Sequence, residues 1–224
     1  MDIKKKKNSQ PVGDDPLIGG LIKAKAYMSK NGTILLVCVA AVAVVIIGAF
    51  TYSRMREASI SRAQEIFGVG VLDYNADRFD DALDAFSKAA NSYRNTPIGA
   101  MSAFMAGSIY LQQRQDADQA IVWFEMALSG GDIGFVRGQA NEGLATAYEK
   151  KGDIANAIRH LERALRDRNM AHRHPAIRWR LALLNKDSNP SATMAYSREL
   201  IADTLASTFH QRAENLLAAL NAGQ

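Results

Sequence analysis

One cysteine, Cys38, is all that this chain of 224 residues carries. No intramolecular disulfide can close, and no zinc site can be built on several thiolates. Proline is scarce, with five residues, and no Gly-X-Y period appears, which excludes a collagen-like architecture. No P-loop, GxGxxG, HExxH or GxSxG pattern is present, so the common phosphate-cradling and hydrolytic motifs are missing. Excess charge is missing from most of the chain as well. Residues 1–32 hold seven lysines against three aspartates, which accounts for the formal net charge of +4, while residues 33–224 hold 20 basic and 20 acidic residues. Basicity confined to one end does not make a nucleic-acid-binding surface, and no nucleic-acid partner is expected.

What the chain does have is one long uncharged run. From Asn31 to Ser53 no residue is formally charged, and Ile34 to Phe50 is apolar apart from Cys38 and Gly48. As a helix such a run spans roughly 25–35 Å, the thickness of a bilayer's hydrocarbon layer. A secretory signal peptide usually has an apolar region of about 7–15 residues behind a short basic stretch. Here the run is longer and follows a long polar stretch, so residues 33–53 are expected to be an uncleaved transmembrane helix. Lys4, Lys5, Lys6, Lys7, Lys23, Lys25 and Lys30 precede the run, and Arg54 and Arg56 follow it. The positive-inside bias then predicts a cytoplasmic tail over residues 1–32 and an extracytoplasmic domain over residues 54–224. Within the tail, residues 1–15 read as unstructured. Leu17, Ile18, Leu21 and Ile22 fall at helical spacing beside lysines, as in a short helix lying on a membrane surface.

Beyond the run the apolar spacing is three and four, with no strand alternation. Three segments share one template: Ala82, Leu83, Phe86, Ala89, Ala90; Ala120, Ile121, Phe124, Ala127, Leu128; Ala157, Ile158, Leu161, Ala164, Leu165. Their first alanines stand 38 and 37 residues apart, and an internal period of that size made of helices predicts stacked helical hairpins. Before Ala157, the residues Leu144, Ala145, Tyr148, Gly152, Asp153 and Ile154 read as a first helix, a glycine-capped turn and the start of a second. In the first unit Asp77 stands where the turn glycine is expected; in the second, Gln115 does. Pro175–Asn185 and Ser191–Ala202 read as a degenerate fourth unit with Ala195 and Ala202 at the small positions. Leu205–Leu220 reads as a capping helix with Gln211, Arg212, Glu214 and Asn215 outward.

The template resembles the second helix of the tetratricopeptide repeat. The whole layout, a lysine-rich tail, one apolar helix, and a short repeat array, is similar to the YfgM-like ancillary subunits of the bacterial SecYEG translocon. The resemblance implies an all-α fold: a single transmembrane helix, then a tetratricopeptide-like α-solenoid of three to four hairpins with a C-terminal capping helix. It also implies a bacterial inner-membrane location, and a chaperone-like accessory role at the translocon. The implied partners are the channel, a membrane-anchored prolyl isomerase chaperone and emerging client chains, with the bilayer contacted through one helix. The other reading open to such a chain is a structural adaptor or assembly factor of another cell-envelope or respiratory complex.

In that family the groove is lined mainly by the first helix of each pair. Carried onto this sequence, the register selects Phe67, Val71, Tyr74 and Asn75 from the first unit. It selects Met105, Ile109, Gln112 and Gln113 from the second, and Gln139, Glu142, Thr146 and Glu149 from the third. The surface so drawn grades from apolar to polar, and its apolar end suits hydrophobic client segments. A second candidate surface is basic: Arg159, Arg163 and Arg166 share one helical face, with Arg173, Arg178 and Arg180 nearby in sequence. This patch suits an acidic partner or anionic headgroups. His172 and His174 flank an arginine and read as a solvated loop, while His160 and His210 stand alone on helices. No catalytic residue, metal site or cofactor is expected.

Overall fold

The computed structural model describes residues 16–130 and 134–222, every regular element among them being a helix. The tail of residues 1–15 and the middle of the Gly130–Gly134 loop lie outside the described residues. The helices are α1 (Pro16–Asn75), α2 (Phe79–Ser92), α3 (Pro97–Gln112), α4 (Ala117–Ser129), α5 (Gly134–Lys150), α6 (Ile154–Leu165), α7 (His174–Asn185), α8 (Pro190–Ala202) and α9 (Ser207–Ala222). Two 3₁₀ turns, Arg168–Arg173 and Thr204–Ala206, join α6 to α7 and α8 to α9. The chain divides into two compact units, Met1–Glu57 and Ala58–Gln224.

The first unit contains the apolar run, all of it helical. Among the described residues, α1 is the one helix long and apolar enough to cross a membrane. Ile34, Leu36, Val44, Ile47 and Phe50 are each more than half exposed. A helix apolar on all faces and covered by no protein is what a lipid environment accommodates. At its end the Arg54 guanidinium lies 5.2 Å from the Phe50 ring centroid. Of the tail segment, Leu17, Ile18, Leu21 and Ile22 belong to α1, and their side chains lie outside the described residues.

In the second unit consecutive helices pack on one another from α2 to α9, and α3 also reaches α5. The shared template explains this packing. Ala82, Phe86, Ala89 and Ala90 on α2 are fully buried, as are Ala157, Leu161 and Ala164 on α6; Ala120, Phe124 and Ala127 on α4 are at most 5% exposed. Small residues let the partner helix approach, and one large side chain per unit fills the remaining gap. Phe124 shows how close the approach is. A methyl group placed on Gly107 of α3 would lie 2.8 Å from its ring, and one on Gly143 of α5 would lie 2.6 Å from it. The ring is thus held between two helix backbones.

The turns repeat as faithfully as the cores. Asp77, Gln115 and Gly152 all adopt left-handed φ, at 57°, 56° and 76°, each five residues before the first template alanine. In the first and third units the same pair of bonds closes the turn. Arg78 N–H donates to Asp73 O and Asp153 N–H to Tyr148 O, both at 2.9 Å, while Asp77 and Gly152 donate to Tyr74 and Glu149. These are Schellman closures. The second turn is wound differently, Asp116 N–H reaching back to Tyr110 O. Caps then restart the helices: Thr96, Asp116 and Asp153 accept from the N–H groups of Gly99, Gln119 and Asn156. Along this edge Arg114 pairs with Asp80, and Lys151 with Asp118. These four residues occupy matching positions, so one ion pair ties each turn to the preceding unit.

A fourth hairpin, α7 and α8, follows in a register different from the expected one. Ala195 and Ala202 are exposed; Thr193, Ser197 and Leu200 are the buried residues of α8. They stand 36 residues after Ala157, Leu161 and Ala164, so polar residues occupy two core positions. Thr193 is accommodated because its hydroxyl donates to Ala182 O on α7 at 2.9 Å. The last helix begins at Ser207, after the second 3₁₀ turn, and Gln211, Arg212, Glu214 and Asn215 face outward as expected.

Two outcomes follow from these positions. Asp77→Gly relieves a left-handed residue at a strain of about 1–2 kcal/mol, partly offset by the freer unfolded chain. Urea denaturation should show a gain of about 0.5–1 kcal/mol, and a loss would refute the turn equivalence.

His160 gives the second. It is 7% exposed, stacks on Tyr148 at 5.5 Å between centroids, and its Nδ1 lies 2.9 Å from Asn141 Oδ1. Because Asn141 Nδ2 donates to Arg137 O, its Oδ1 must accept, so Nδ1 carries the proton. Burial, then the charges of Arg163 and Arg159, lower the pKa of His160 below the usual imidazole range. The unfolded state therefore binds the proton more readily. The stabilisation is complete above the unfolded pKa of about 6.5 and is lost as pH falls through the lower folded pKa. His160→Gln should flatten the fall in stability between about pH 7.5 and about pH 5; an unchanged slope would assign that fall to other groups.

Candidate functional site

A cleft of about 700 Å³ in the second unit lies where α3, α5 and the 3₁₀ turn before α7 face one another. Phe104, Leu111, Phe124 and Met170 form its floor. The Phe104 and Phe124 rings meet at 5.8 Å with a 45° tilt. Ser108, Gln112 and Gln115 line one wall, and Gln139, Glu142, Thr146 and Lys150 the other, with His172 and Arg173 closing the end. The Gln112 and Gln139 amides offer donors and acceptors to an extended polypeptide backbone, which requires both, while Ser108, Gln115 and Thr146 already bond within the domain.

Electrostatics give this cleft a defined pattern. Glu142 Oε2 accepts from Arg173 Nε at 3.3 Å, and Oε1 lies 3.6 Å from Arg180 Nη1. Arg180 Nη2 also donates to Glu149 at 2.6 Å and to Thr146 Oγ1 at 3.0 Å. The Glu142 carboxylate raises the pKa of Arg173 further above its ordinary value. These two arginines are therefore neutralised by α5. Lys150 Nζ differs: its bonds go to the neutral Gln115 Oε1 and to Leu111 O. The ammonium group leaves the cleft with a positive charge at its α3 end.

Of the residues predicted for a groove, Gln112, Gln139, Glu142 and Thr146 are brought together here. The rest are placed elsewhere. Ile109 is fully buried and presents no surface. Phe67, Val71, Tyr74 and Met105 pack against the cluster of Ala82, Phe86, Ala106 and Ile109. The Phe67 and Phe86 rings meet at 5.4 Å, and Tyr74 meets Phe79 edge-on at 5.6 Å. Asn75 is exposed at the end of α1, and Gln113 lies with Asp77 and Arg114 at the turn edge. Of the apolar end of the predicted surface, Ile109 is core, while Phe67, Val71, Tyr74 and Met105 are half-buried, each packed on one side against the Phe86 cluster.

The predicted basic patch also divides. Arg173 and Arg180 belong to the cleft network, and Arg178 pairs with Glu199 at 2.9 Å and Asp203 at 3.1 Å. Only Arg159, Arg163 and Arg166 remain together, exposed on α6. The carboxylates that separate the others lie 21 to 38 residues away in sequence, so a local reading of charge does not find them. Gln115, Lys150 and Met170 were missed as cleft residues; the matching turn positions were the signal that places Gln115 there. His172 lines the cleft while His174 Nε2 lies 3.1 Å from Asp167 O, so the two imidazoles are separately employed.

A family model described as a tetratricopeptide repeat-like domain matches residues 25–200. The chain belongs to that family. A search of curated proteins gives no match. The matched range covers all four hairpins but not α9, and it begins before the apolar run.

The Glu142 network predicts a measurable coupling within this repeat domain. Glu142 is 14% exposed at its side chain while Arg173 is 48% exposed, so screening limits the loss. Glu142→Ala should destabilise the domain by about 1–2 kcal/mol, and the loss should shrink in the Arg173→Met, Arg180→Met background. Equal losses in both backgrounds would show that the network carries no coupling.

Proposed function

We propose that this protein is a single-pass, membrane-anchored scaffold whose repeat domain binds other proteins through the α3–α5 cleft, without turnover. The observation that carries the reading is the cleft itself: an open, amide-lined channel between repeats of a family whose domains typically bind proteins. The anchor rests on the uncovered apolar stretch of α1, and on the family match beginning at residue 25, ahead of that stretch. The lysine asymmetry supports a cytoplasmic N-terminus and an extracytoplasmic repeat domain over residues 54–224. On this reading the chain is not an enzyme.

The resemblance to YfgM-like subunits points to the protein translocon of the bacterial inner membrane. The channel, a membrane-anchored prolyl isomerase and emerging chains would then be the partners. Confinement beside the channel raises the effective concentration of the cleft for those chains. One observation favours the alternative of an adaptor in another envelope complex: the apolar residues expected to hold hydrophobic clients are half-buried against the Phe86 cluster, or buried in the case of Ile109, and the cleft walls are polar.

Purification of the full-length protein from native membranes in mild detergent, with mass spectrometry of what remains bound, separates the two. Channel subunits and a prolyl isomerase in the eluate support the translocon role; a defined set of other envelope proteins without the channel supports the adaptor. A photo-crosslinker at Gln139 should capture the bound partner and one at Gln211 on α9 should not. Equal capture at both sites would reject the cleft as the binding surface. The anchor is checked by alkaline extraction with N-terminal sequencing: recovery in the pellet of a chain that retains residues 1–53 is expected, and a chain lacking them would identify a cleaved signal sequence.

A further inference from the structure

Helix α6 presents an outward face with no role in the cleft. Arg159, Arg163 and Arg166 succeed one another at i, i+4 and i+7, all exposed, in a row of about 10 Å. Arg159 bonds to the neutral Asn156 Oδ1 at 2.8 Å, and among the described ion pairs none involves any of the three. The one carboxylate on the same helix, Glu162, is half-buried and hydrogen-bonded to Tyr196 of α8. The charges of Arg159 and Arg163 are felt by His160 behind them, and, after the hydrogen bonds from Asn156, Arg159 also lowers the pKa of the Asp153 carboxyl at the helix N-cap. Arg173, Arg178 and Arg180, by contrast, each pair with a carboxylate of another helix, so this row stands apart from them.

We propose that the α6 arginine row binds the phosphate headgroups of an anionic lipid surface. Guanidinium groups bind phosphate oxygens in bidentate fashion and give up hydration more easily than ammonium groups. A protein partner would need an apolar core within its contact, whereas the row's immediate neighbours supply only Ala155 and the partly exposed Ile154. A headgroup layer needs charge alone. The inference rests on the membrane-anchored reading, since an anchored domain meets such a surface without first finding it. Each arginine near an anionic leaflet strengthens the contact about fivefold, and salt weakens it.

The test uses the full chain reconstituted into vesicles of phosphatidylcholine alone, or of phosphatidylcholine with phosphatidylglycerol. In a Cys38→Ala background, Ala155→Cys places a fluorophore beside the row, and Val122→Cys places a control on the exposed face of α4. Quenching by headgroup-labelled lipid should rise severalfold at position 155 when phosphatidylglycerol is present. It should fall with added salt and return to the neutral-lipid level in the Arg159→Gln, Arg163→Gln, Arg166→Gln variant, with position 122 unaffected. These exposed substitutions leave the fold intact by circular dichroism. Equal quenching at position 155 in both vesicles would overturn the proposal. So would shielding of the label that appears only in native membranes and vanishes on protease treatment of other proteins, since an acidic protein would then be the occupant. Failure of the chain to float with neutral vesicles would instead overturn the anchor, which separates the two failures.

Discussion

The fold depends on the approach of helix backbones to one large side chain in each unit. Burying a phenylalanine contributes about 1.5–3 kcal/mol only if its surroundings close around it, and closure here requires alanine or glycine at each facing position. Phe124 is gripped from α3 and α5 at Gly107 and Gly143, so it joins two units and not one. That grip also sets where the cleft lies. The ring lines the cleft and also belongs to the core. Enlarging either glycine would cost packing and would reshape the binding surface at the same time.

Charge has a separate task in each region. On the turn edge, exposed pairs repeat from unit to unit, each worth at most about 1 kcal/mol, and they align neighbouring turns more than they stabilise them. In the cleft, Glu142 and Glu149 occupy two arginines, so those cations hold α7 against α5 and are not free to select an acidic ligand. The cleft cation without a carboxylate partner is Lys150, whose bonds go to neutral groups. Sequence-wide net charge hides this division, because an arginine bound to a carboxylate and one left open count alike.

The repeat plan was legible because it rests on side-chain size at fixed spacing, a property visible residue by residue. The turn at Asp77 and Gln115 was legible only in part: neither is glycine, yet both take the left-handed conformation that Gly152 takes freely, and the constant distance to the next alanine was the usable signal. The fourth unit was found but set two residues out of place, because Thr193 and Ser197 read as surface until the bond from Thr193 to Ala182 is seen. The groove was half legible. A family register says which helices line it, but not that Phe86 draws Phe67 and Tyr74 inward, nor that Glu142 pairs with an arginine 31 residues away. Contacts between units are set by packing, and packing is not written in local spacing.

These constraints bear on what kind of binding such a cleft can sustain. Its floor offers a few side chains, of which Leu111, Phe124 and Met170 are already almost wholly buried, so little apolar surface remains to drive tight association. The walls supply amides and hydroxyls, and each new hydrogen bond exchanges one already made to water, at a net gain of about 1 kcal/mol. Affinities in the range of about 0.1–1 mM, about −4 to −5.5 kcal/mol, are what such a surface sustains. For a freely diffusing protein that would be too weak to hold a partner. For a domain tethered beside its partner the effective concentration reaches the millimolar range, and the same site is then substantially filled yet releases quickly. On the proposed reading, a polar, weakly binding cleft and a membrane tether would therefore be complementary, each making the other sufficient.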